Sequence, residues 1–180
     1  MSKASDIIRQ ANIGMVGANA GAIAVPKNVS CRKDMQYGKD PVWNVFDIYY
    51  ENSNGRRHPT IISIHGGAWV SNTKEYYEKY CLDLAARGFN VVNFTFRLAP
   101  ENRHPAMIED VNQLVRHLYE HDAIYGIDMN NVFMVGDSAG GHMLSMYAAI
   151  CTNPAYAQSF PFTPPRGFIP RIFFQNNSVN

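Results

Sequence analysis

Between the apolar run Asn131-Val132-Phe133-Met134-Val135 and a helix-forming stretch beginning at His142 lies Gly136-Asp137-Ser138-Ala139-Gly140-Gly141. A strand that turns into a helix within so few residues leaves room only for small side chains, and glycines stand two positions to either side of the serine. In this strand–turn–helix setting, G-x-S-x-G lifts the Ser138 hydroxyl above the sheet, where a base and a substrate can both reach it. The motif constrains fold and chemistry together.

The rest of the pattern agrees. Residues 45–50, 60–64, 91–96, 131–135 and 169–174 read as strands, with a further strand near Met35. A polar turn is expected at residues 52–55. Tyr76, Tyr77, Tyr80, Cys81, Leu84 and Ala85 recur at helical spacing, with a stop at Gly88. Met107, Ile108, Val111, Leu114, Val115 and Leu118 form an amphipathic stripe that ends near Gly126. Strands alternating with helices predict an α/β fold: a mostly parallel sheet with right-handed crossovers and helices on both faces. Ligands in such sheets gather at the carboxyl ends of the strands. Residues 1–33 read as a leader with a short helix at 5–10, and residues 34–180 as one core domain.

A second motif, His65-Gly66-Gly67-Ala68-Trp69, follows the β-branched run at 60–64. Acyl transfer needs donors aimed at the oxyanion of a tetrahedral intermediate, and backbone N–H groups supply them without reorganisation. Gly66 and Gly67, together with Ala139 directly after the nucleophile, are the expected oxyanion hole. A third motif is Phe96-Arg97-Leu98-Ala99-Pro100-Glu101, followed by His104-Pro105-Ala106 and a helix carrying Asp110.

With these motifs in this order, the chain resembles the hormone-sensitive-lipase-like branch of the α/β-hydrolases over about residues 34–174. The resemblance implies hydrolysis of small carboxylic esters through an acyl-enzyme on Ser138, with no cofactor and no metal. It also implies that residues 1–33 belong to a cap over the site, and that His65 sits under the oxyanion loop and shapes it. Asp137 neighbours the nucleophile but points elsewhere, which suits a supporting role rather than that of triad acid. Phe96 stands where the family usually has Tyr, a change expected to alter packing rather than chemistry.

One part of the machinery is missing. The family's chain order is Ser, then Asp or Glu, then His. Residues 139–180 contain no Asp or Glu, and their one histidine is His142, read as a packing residue. Glu101, Arg97 and Asp110 are read as a buried network holding the loop after the 91–96 strand. The expectation is therefore an incomplete chain (truncated, split or degenerate, with truncation preferred) whose triad acid and base lie outside it. Its last strand would offer an edge for self-association. Two other functions fit the same residues: a non-catalytic small-molecule binder on a hydrolase scaffold, and an arylformamidase-like amide hydrolase.

Composition excludes little else. Sixteen basic against 15 acidic residues give a net charge of +1, with no pull toward nucleic acid. Three widely spaced cysteines argue against a disulfide framework and fit a reducing compartment. Asn12, Gly14, Gly17 and Asn19 interrupt the Ala-rich stretch at 11–25, which argues against a secretion signal. No run reaches the ~18 apolar residues of a membrane span. A cytoplasmic enzyme is expected. His117-Leu118-Tyr119-Glu120-His121 matches the H-x-x-E-H of some zinc proteases. Leu118 belongs to the core stripe and no third ligand is apparent, so these read as solvated histidines near a helix end.

Overall fold

The computed structural model describes residues 3–18, 23–52 and 58–174. The turn expected at 52–55 falls outside them from Ser53 onward. Six strands form one sheet in the order β1-β2-β4-β3-β5-β6. They are β1 Val29–Gln36, β2 Val45–Glu51, β3 Thr60–Ile64, β4 Asn90–Phe94, β5 Val132–Gly136 and β6 Arg171–Phe174. Around them run α1 Lys3–Ala18, α2 Glu78–Ala85, α3 Ala106–Tyr125, α4 Ser138–Thr152 and the short α5 Pro154–Ala157. β1 pairs antiparallel with β2, and β2 with β4; the contacts among β4, β3, β5 and β6 are parallel.

The leader boundary read at residue 33 needs correction. β1 crosses it, and Val29 is already in register with Glu51. Backbone groups of that segment find their partners in the sheet, so the core begins inside the expected leader. α1 is also longer than the helix read at residues 5–10.

Side chains alternate across the strands, as a period of two requires. Ile62, Ile64, Val92, Phe94 and Met134 face one side, where Ile108, Leu114, Leu118 and Leu144 of α3 and α4 cover them. Ile61, Val91 and Val135 face the other, against Cys81, Leu82 and Ala85 of α2. Each fully buried Leu or Ile contributes about 2 kcal/mol, which is what fixes α3 and α4 on the sheet. The α2 side is thinner. There an apolar cleft of about 410 Å³ opens between Ile61, Tyr80, Leu84, Phe89, Phe133 and Val135.

Register then decides where the chemistry sits. Ile64, the last residue of β3, lies opposite Gly136, the last of β5. The loops after both strands therefore leave the sheet side by side at its carboxyl edge.

Candidate active site

The strand-to-helix bend is as tight as the sequence implies. Asp137 is extended at φ −119° and ψ 155°, and Ser138 turns left-handed at φ 48°. That conformation costs a non-glycine residue about 1 kcal/mol and persists only where the surroundings enforce it. Gly140 does the enforcing. A Cβ there would lie 2.2 Å from the Ile64 carbonyl oxygen and 2.8 Å from that of His65. Only a hydrogen fits, so α4 presses directly on the end of β3. Ser138 is exposed between the buried Asp137 and Ala139.

The first bond of α4 runs from Gly141 N–H to the Asp137 carbonyl at 3.1 Å. The Ala139 and Gly140 N–H groups thus have no acceptor inside the helix. They face the end where a helix stabilises negative charge, beside the Ser138 oxygen.

The second loop is a turn closed on one carbonyl. The Gly67 oxygen accepts from Val70 N–H at 3.1 Å, Ser71 N–H at 3.0 Å and the Ser71 hydroxyl at 2.8 Å. Gly67, Ala68, Trp69 and Asn72 all have positive φ, at 124°, 52°, 68° and 72°. A Cβ on Gly67 would come within 2.2 Å of the Ser71 carbonyl oxygen.

Gly66 departs from the sequence expectation. Its N–H donates to the Tyr77 hydroxyl at 3.1 Å, and Tyr77 donates onward to Asp137 Oδ1 at 2.7 Å. The Gly66 donor is therefore already engaged, tying the glycine loop to the elbow. Among the described residues, the N–H groups of Gly67 and Ala68 have no protein acceptor. Ala68 and Tyr77 are the residues that sequence reasoning missed. The free Ala68 N–H follows from a backbone twist that no pattern encodes, and Tyr77 read as part of an apolar stripe whose hydroxyl had no visible target.

His65 is wholly buried, with its ring stacked on Phe96 at 4.0 Å between centroids. Phe96 is itself buried and packs face to face on the imidazole. His65 Nδ1 lies 2.8 Å from the Gly66 carbonyl, which can only accept, so Nδ1 carries the proton. Burial pushes the imidazole down to about 4, leaving it neutral at physiological pH. Its Nε2 has no protein partner among the described residues.

Three neighbouring readings also change. His142 is exposed, its ring 6.4 Å from that of Trp69, and so borders the site rather than packing inside. Side chains on a helix lean toward its N-terminus, which for His142 is the Ser138 end. Arg97 does grip the buried Asp110, through Nε at 3.0 Å and Nη2 at 2.7 Å. Glu101 is exposed and pairs instead with Arg9. The His117 and His121 rings stack at 4.5 Å, and His117 Nε2 meets the Tyr125 hydroxyl at 2.7 Å. They are half-buried rather than solvated.

Ser138, Ala139, Asp137, His65, Gly66 and Gly67 thus converge on the carboxyl ends of β3 and β5. Comparison with known proteins matches the BD-FAE family model to residues 46–163. The chain belongs to the BD-FAE family. Among curated proteins, this BD-FAE chain is 29% identical to esterase LipC of Mycobacterium tuberculosis over 132 residues, which is 72% of the chain and 32% of LipC. It is 28% identical to isoprenylcysteine alpha-carbonyl methylesterase of Arabidopsis thaliana, covering 62% of the chain and 26% of that protein. The inhibited esterase B from Lactobacillus rhamnosis superposes with a TM-score of 0.84 at 26% identity, over 96% of this chain and 58% of that one. The sheet is that of an α/β-hydrolase, and the family is one of carboxylic-ester hydrolases. The chain spans about a quarter to a third of the length of the curated relatives it matches.

Proposed function

We propose that the protein hydrolyses small carboxylic esters through an acyl-enzyme on Ser138. The Ser138 oxygen attacks the ester carbonyl carbon, its proton passes to a general base, and the carbonyl oxygen becomes an oxyanion. Gly67, Ala68 and Ala139 N–H groups stabilise that oxyanion. Collapse of the intermediate releases the alcohol, and water then releases the acid. His65 and Asp137 act as supports: one under the loop, the other anchoring Tyr77. The observation that carries this reading is the exposed, left-handed Ser138 beside a loop in which the Gly67 and Ala68 N–H groups have no acceptor among the described residues.

The base and its acid are assigned outside residues 1–180, since no Asp or Glu follows Ser138. That same feature favours the second reading, a binder that holds a small ligand without cleaving it. Hydrolysis of a short-chain p-nitrophenyl ester by the native protein separates the two. The expected result is turnover that falls by about 10⁴-fold or more in Ser138→Ala. No turnover by the native protein favours the binder. A cytoplasmic location belongs to the same reading, supported by unpaired Cys31, Cys81 and Cys151 and tested by cell fractionation. No described helix is long and apolar enough to cross a membrane. We also propose that β6, last in the sheet order, mediates self-association.

A further inference from the structure

We propose that Arg9 is a positioning residue for the oxyanion loop, a role that rests on Gly67 and Ala68 being the donors. Arg9 lies on α1, far in sequence from the motifs. Its Nε donates to the Val70 carbonyl at 2.7 Å and its Nη2 to the Ala99 carbonyl at 2.7 Å. Nη1 and Nη2 also meet Glu101 Oε1 and Oε2 at 2.9 and 2.6 Å. One planar fork thus spans two backbone carbonyls and a carboxylate on two separate loops.

Both carbonyls lead back to the donors. Val70 N–H closes the turn on the Gly67 oxygen at 3.1 Å, and Ala99 N–H donates to the Trp69 carbonyl at 2.9 Å. Arg9 therefore holds the Val70–Ser71 peptide unit directly and, through Ala99, the Trp69–Val70 unit. Ala68 and Trp69 carry positive φ without being glycine, which costs on the order of 1 kcal/mol each and needs outside support. Tyr77 holds the loop on its Gly66 side. The Val70 carbonyl at the far side of the loop accepts from Arg9. The guanidinium suits the task because its donors are fixed in one plane, whereas an ammonium is a single point charge. Hydrogen bonding to Arg9 holds the Glu101 carboxyl down at about 2, so the clamp stays charged through the physiological range. α1 is then a brace on the catalytic loop and not merely a cover.

Trp69 reports on the loop directly. The chain has two tryptophans, so a Trp43→Phe background leaves Trp69 as the one emitter. In that background Arg9→Ala is expected to raise acrylamide quenching of Trp69 about twofold, with Arg9→Lys between it and the parent. Quenching that stays unchanged, with or without a lower melting temperature, overturns the proposal, because a merely structural α1 contact would move only the melting point. If Arg9→Ala does not fold, the exposed Glu101→Gln carries the test: increased quenching supports the clamp and unchanged quenching overturns it. The fluorescence needs no catalysis, so its failure is distinct from failure of the esterase reading. In the ester assay, Arg9→Ala is expected to lower kcat about tenfold with KM nearly unchanged, since the lost alignment matters in the transition state. An unchanged kcat beside a freed Trp69 also overturns it.

Discussion

Ser138 occupies a backbone conformation that suits glycine better than serine. Ser138→Gly is therefore expected to stabilise the fold by about 1 kcal/mol and, on the proposed function, to end any turnover. Ser138→Ala, equally strained, gives no such gain. Urea unfolding of the two variants checks the difference, and equal midpoints would contradict the strained elbow. His65 makes a pH prediction whose sign is fixed by burial. Its folded pKa is lowered from 6.5 to about 4, so between those values the unfolded chain binds the extra proton. Stability therefore rises with pH across that window, is fully present above about 6.5 and is lost as pH falls toward 4. The loss integrates to on the order of 3 kcal/mol, and His65→Phe should flatten the slope seen in urea titrations at successive pH values. At this scale the sequence showed the sharp turn at Ser138 and the placing of His65 beneath the glycine loop, because both follow from local motif patterns. It hid the engagement of Gly66, which depends on a tyrosine whose hydroxyl meets Asp137 across 60 residues.

The elements are placed by register and close approach. Strand β3 ends level with β5, and α4 starts hard against that junction because Gly140 carries no side chain. Gly140→Ala is expected to destabilise by about 3 kcal/mol, since the new methyl meets rigid backbone and not a side chain that can swing away. Thermal melting measures this; a loss below about 0.5 kcal/mol, the ordinary surface range, would contradict the packing of α4 on β3. Strands β2 to β5 were legible because each carries a short apolar run bounded by turn residues. β1 was only partly legible. Its residues are mostly exposed, as befits a strand at the sheet's end, so alternation left little apolar signal. The Arg9–Glu101 pairing was invisible for a different reason: the partners are 92 residues apart, and each alone reads as an ordinary surface charge.

Across the whole molecule, the sheet has one well-covered face and one that is thinly covered, where the cleft beside α2 lies. Among the described residues β6 is the last strand in the order and pairs on one side only, and unpaired edges recruit further strands. Sedimentation velocity should show mass rising with concentration over the micromolar range, roughly 1–100 μM. A constant monomer would contradict association through β6. The α/β layering was readable from the alternation of strand and helix periods, whereas the thin face was not, since coverage is a property of the assembled layers. One measurement addresses the site at the carboxyl edge of the sheet most directly. The native protein is treated with a fluorophosphonate, digested, and its modified peptide mapped by mass spectrometry. The expected result is a single adduct on Ser138. An adduct on another residue, or undiminished labelling of Ser138→Ala, would contradict Ser138 as the nucleophile.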